Sequence, residues 1–61
     1  MTDIFITYDK AMELAQTTGL VAELKERELP HDVVMDGFMP ALKITFEDEQ
    51  ELTYIKLKYG L

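Results

Sequence analysis

Apolar and polar residues alternate through Ala41 to Tyr59: Leu42, Ile44 and Phe46 recur at every second position, and so do Thr53, Ile55, Leu57 and Tyr59. A period of two is that of a half-buried strand, so this stretch reads as a β-hairpin with strands 41–46 and 51–59. An even-numbered loop puts both sets on one face. A three-residue loop would instead set Leu42, Ile44 and Phe46 beside Lys56, Tyr54 and Leu52. Two-residue loops favour Gly or Asn at positive φ, which Asp48-Glu49 does not offer, so a four-residue type I turn over Glu47 to Gln50 is expected. The outward face then carries Leu52 and Tyr54 among Lys43, Thr45, Lys56 and Lys58.

Upstream, Asp3 to Thr7 is a short β-branched and aromatic run, apolar at three consecutive positions, which suits an interior strand covered on both faces. The period then changes. Tyr8, Ala11, Met12 and Ala15 fall at i, i+3, i+4 and i+7, the stripe of a helix over 8–18, with Thr7 as N-cap and Asp9 early, where the helix dipole favours anions. A straight continuation past Gly19 would turn Leu20, Val21 and Leu24 away from that stripe, so a break is expected at Thr17-Thr18-Gly19, with Gly19 left-handed at C′. A short second helix over 20–28 follows, ended by Pro30. Within Asp32 to Ala41, Asp36-Gly37 is a two-residue turn signal that lets Val33-Val34-Met35 pair with Phe38-Met39, and Pro40 confines any strand there to an edge or a start. The dense apolar set Val33, Val34, Met35, Phe38 and Met39 either closes the core or forms a docking patch; closure is the first expectation, and Met suits the second role.

These elements predict one α+β domain over residues 1–61, of order β-α(α)-β-β. Its helices pack on a largely antiparallel sheet through Tyr8, Ala11, Ala15, Ile44, Ile55 and Leu57. The alternative is a winged helix-turn-helix, because Ala15 and Gly19 have the small-residue spacing of two closely packed helices. The run Glu28-Leu29-Pro30-His31-Asp32-Val33-Val34 resembles the start of the wing in small excisionase-like winged-helix proteins. That resemblance implies a DNA-binding regulator. Against it, the apolar position wanted six residues after Gly19 is Lys25, and the would-be recognition helix holds Glu23, Glu26 and Glu28 against Lys25 and Arg27.

Net charge sharpens the choice. At −6, the chain repels phosphate backbones and anionic lipid surfaces, so no direct nucleic-acid or membrane partner is expected and a basic protein partner is. No apolar run approaches a membrane span and no basic-then-apolar leader opens the chain, which points to a cytoplasmic location. With no Cys, disulfides and thiolate metal sites are excluded. A 61-residue core without such staples is marginal, which favours a homodimer, formed through the outward Leu52 and Tyr54 with their lysine rim.

Catalytic chemistry has little to draw on. There is no Ser or Cys nucleophile, and His31 is the one imidazole, adjacent in sequence to Asp32 and more naturally a satisfied loop residue. One His cannot make a zinc pair, Glu47 to Glu51 lacks the alternation and glycine of a calcium loop, and three scattered glycines make no phosphate loop. No catalytic residue, metal or cofactor is therefore expected. Two carboxylate groups remain as partner-binding candidates: Glu47, Asp48, Glu49 and Glu51 on the hairpin turn, and Glu23, Glu26 and Glu28 on the short helix. Such an array can imitate nucleic-acid phosphates towards a basic groove. Short, acidic, Cys-free and non-catalytic, the chain is similar in those respects to phage-encoded inhibitors. Met35, Phe38, Met39, Leu52 and Tyr54 are the candidate apolar contacts.

Overall fold

The computed structural model describes all residues from Met1 to Leu61, in the order β1 (Thr2–Thr7), α1 (Tyr8–Thr17), α2 (Leu20–Glu26), β2 (His31–Asp36), β3 (Met39–Phe46) and α3 (Glu49–Tyr59). The fold is α+β, with three helices on one antiparallel sheet of order β1-β3-β2. β3 is the central strand. Its residues Leu42, Ile44 and Phe46 face Ile6, Ile4 and Thr2 of β1, and this face meets the helices. Leu20, Leu24, Ile44, Ile55 and Phe46 are closed off almost completely and form the centre of the core.

Several local signals act as the sequence predicts. The Thr7 hydroxyl accepts from the Lys10 N–H at 3.3 Å and caps α1. Gly19 adopts φ 71° and separates α1 from α2, so Leu20 and Leu24 turn into the core while Lys25 stays outside. The end of α2 is a Schellman motif: the Leu29 N–H donates to the Leu24 carbonyl and the Glu28 N–H to the Lys25 carbonyl, and buried Leu29 follows. Its left-handed position is filled by Glu28 at φ 57°, where glycine is the unstrained choice.

The segment predicted as strand 51–59 is the helix α3, and no turn over Glu47 to Gln50 exists. Asp48 is its N-cap, accepting from the Gln50 N–H at 2.9 Å; Glu49 and Glu51 occupy its first turn, Lys56 and Lys58 its last, and Gly60 ends it at φ 67°. Buried Ile55 and Tyr59 are four residues apart, with half-buried Leu52 completing the helical stripe. Leu57, central to the alternating pattern, is 79% exposed and leaves the predicted core, as does Tyr8.

The hairpin lies one element earlier, with its turn within Asp32 to Ala41, where the Asp36-Gly37 turn signal allows one. Asp36 pairs with Met39, so the two-residue turn is Gly37-Phe38, one residue later than Asp36-Gly37, with Gly37 at φ 67°. β1, predicted as an interior strand, is an edge strand whose Phe5 points to the uncovered sheet face.

Candidate functional site

The register explains why the hairpin is uncovered. Directly paired residues share a face, so Val33 and Met35 lie on the helix side with Leu42 and Pro40, whereas Val34 and Met39 lie on the other side with Ala41 and Asp36. The helices cover β1 and β3 and stop short of the far end of β2. Phe38 at the tip is 98% exposed, Met35 65% and Met39 64%, and Val33 is also exposed. The expected closure of the core by this cluster is therefore overturned: Phe38 protrudes at the tip, with Met35 exposed on one face of the hairpin and Met39 on the other. Asp32 and Asp36 flank it, and no Lys or Arg occurs between Arg27 and Lys43.

The carboxylates separate into engaged and free groups. Glu23 is only 13% exposed on its side chain and ties α2 to α3: Lys58 Nζ and Arg27 Nε each lie 2.8 Å from its oxygens, and the Tyr59 hydroxyl donates to it. Hydrogen bonds from Lys58 and then Tyr59 outweigh the burial that opposes them and hold the Glu23 carboxyl at about 2 instead of 4.5. The hydrogen bond to Glu23 raises Lys58 and Arg27, and burial foremost raises Tyr59. Glu51 lies 3.7 Å from Arg27. Glu23 and Glu51 are thus occupied within the fold and leave the free acidic set.

Glu26, Glu28, Glu47, Asp48 and Glu49 are exposed. The two acidic groups, read as separate, meet: Glu28 shares a concavity of about 420 Å³ with Glu47, Asp48 and Glu51 where β3 passes into α3, while Glu26 lines a second concavity between α2 and α3. No three of these carboxylates are spaced to hold a metal ion. His31 is tied locally, its Nδ1–H donating to the Leu29 carbonyl at 2.8 Å.

Leu52 and Tyr54 do not form the outward apolar centre predicted for a dimer. Leu52 packs against the core, and the Tyr54 ring lies 4.5 Å beneath the Arg27 guanidinium and 5.6 Å from Lys58 Nζ. Lys43 and Thr45 belong to a different surface, the uncovered sheet face. The Glu23 latch was missed in the sequence because it needs α3 as a helix, although Glu23–Arg27 and Tyr54–Lys58 both have i, i+4 spacing.

Comparison with known protein families, curated proteins and solved structures finds no match to this chain. No helix is long and apolar enough to cross a membrane.

Proposed function

We propose that this chain is a non-enzymatic protein-binding module, an inhibitor or regulator of phage or mobile-element type, that docks by its β2–β3 hairpin and presents carboxylates to a basic protein surface. The observation that carries the reading is the bare apolar tip, with Phe38 98% exposed in a domain whose other aromatic and aliphatic side chains include twelve buried ones. Covering a side chain of that size contributes about 1.5–3 kcal/mol, so Phe38 with Met35 and Val33 on one face of the hairpin supplies a usable docking centre before the cost of association is subtracted. The free carboxylates at the β3–α3 corner lie at the opposite end of β3, about 25 Å away at the usual rise per residue. They therefore act at the rim of a contact centred on the hairpin, selecting a basic partner and speeding encounter.

The test is a comparison of captures from host lysate by the wild type, by Phe38→Asp, and by Glu47→Gln/Asp48→Asn/Glu49→Gln, in which Asn retains the helix cap. The same retained protein should be lost with Phe38→Asp and bound more weakly, mainly through slower association, with the neutralised corner. Equal capture by all three sinks the proposal.

A second reading has one observation in its favour. α1, α2 and the β2–β3 hairpin form a helix pair followed by a wing, the layout of the DNA-binding alternative. The wing sets Asp32 and Asp36 against a single lysine, Lys43, and Arg27 of the would-be recognition helix is held by Glu23, so few cations remain to displace counterions. A salt-sensitive mobility shift on a mixed-sequence duplex at micromolar protein would put this reading first.

A further inference from the structure

The two edges of the sheet are finished differently. The Asp36–Met39 pair closes the hairpin, and pairs alternate from there, so His31, Val33 and Met35 turn their backbone groups away from β3. On that edge the Val33 N–H is taken by the Asp32 carboxylate at 2.9 Å, a side-chain cover over an exposed strand. The same alternation carried across β3 points Ile44 and Leu42 to β1, leaving the N–H and C=O of Asp3 and Phe5 facing outward. The Asp3 side chain is turned elsewhere, to the Thr45 hydroxyl at 2.8 Å, and no side chain covers the outward groups of β1.

Beside this open edge lies a groove of about 440 Å³ between β1, α1 and the end of α3. Its wall includes Ile4, Ile6 and Leu61, and Lys10 and Lys56 stand over it. Neither lysine makes an ion pair, in a chain with twelve carboxylates. Two cations without ion pairs beside apolar side chains and free strand groups give this groove a locally positive rim on a molecule of net charge −6.

We infer that β1 accepts an extended acidic segment of a partner protein as an added strand, with its carboxylates on Lys10 and Lys56 and its apolar residues over Ile4 and Ile6. Hydrogen bonds to Asp3 and Phe5 supply the main-chain part of such a contact, and alternate side chains facing the helices supply selectivity. The overall charge of −6 does not forbid it, because at physiological ionic strength charges beyond about 8 Å are largely screened and the two local lysines dominate. This contact is separate from the hairpin tip and stands or falls independently of it.

The probe is a capped hexapeptide of alternating Glu and Val, with a Lys/Val peptide as its counterpart, titrated into the ¹⁵N-labelled protein. The Asp3 and Phe5 amides should shift and become protected from exchange with the Glu/Val peptide and not with the Lys/Val one. Lys10→Glu/Lys56→Glu should weaken binding about tenfold or more through like-charge opposition. Phe5→Pro, which removes an N–H with no partner inside the fold, should abolish the shifts while leaving the melting curve cooperative. No β1 shift at about 1 mM peptide, equal binding of both peptides, or binding indifferent to the lysine reversal overturns the inference. Shifts of the β1 amides that depend on protein concentration alone overturn it as well, because they assign the edge to a second copy of this chain.

Discussion

Glu23→Gln tests the latch that joins α2 to α3. The substitution keeps the shape and leaves an acceptor for the Tyr59 hydroxyl, but removes the charge that holds Lys58 and Arg27. Because the folded carboxyl sits at about 2 against its usual 4.5, the fold binds fewer protons than the unfolded chain between those values. The stabilisation is complete above about pH 4.5 and is lost as pH falls through about 2. That separation sets a ceiling of roughly 3 kcal/mol. Lys58 and Arg27 are 45% and 35% exposed, so solvent screening reduces the expected loss on Glu23→Gln to about 1–2 kcal/mol at pH 7. In a domain of this size that lowers the melting temperature by about 5–15 °C. Thermal and urea melts followed by circular dichroism at pH 7, 4 and 2 supply the assay, with Glu13→Gln as a control for the same change in net charge at a site without an ion pair. The difference between Glu23→Gln and wild type should be full at pH 7 and fade towards pH 2. A loss at pH 7 equal to the control, or one that persists unchanged at pH 2, refutes the reasoning.

Gly19→Ala should destabilise by about 1 kcal/mol, read from urea midpoints; an added Cβ meets no atom within 4 Å, so the whole effect belongs to the backbone at φ 71°. Glu28→Gly should stabilise by about 0.5–1 kcal/mol by relieving a side-chain-bearing residue at φ 57°, and a destabilisation would contradict the strain assigned to it. Leu57→Gln should stay within about 0.5 kcal/mol of wild type while Ile55→Ala costs about 2–4, a contrast that a strand burying both residues on one face would not produce.

The first half of the chain was legible because each of its signals is local and agrees with its neighbours. Thr7 before an i, i+3, i+4 stripe and Gly19 at a change of phase act within a few residues of themselves, whereas α2 ends at Glu26, short of the predicted Glu28, through the Schellman turn and not at Pro30. The stretch after Phe46 failed because two periods compete there. Ile55 and Tyr59 fit a strand at every second residue and a helix at every fourth, so only Leu52 and Leu57 discriminate, and they vote for different answers. Asp48, Glu49, Glu51, Lys56, Lys58 and Gly60 settle it in favour of a helix through cap and dipole, signals that outweigh four alternating positions. The real hairpin is the one that Asp36-Gly37 allows within 32–41, its turn marked to within one residue.

The hairpin tip was not decided by the sequence for a different reason. Val33, Met35, Phe38 and Met39 have the composition of a core, and whether they become one depends on whether a helix reaches over β2. α1 is ended by Gly19, α2 by the Schellman turn at Glu28, and α3 is held against α2 by Glu23, while the helices meet the sheet at β1 and β3. The tip is bare because no helix extends over β2, and that depends on where three separate helices end, which no local pattern in Val33 to Met39 encodes.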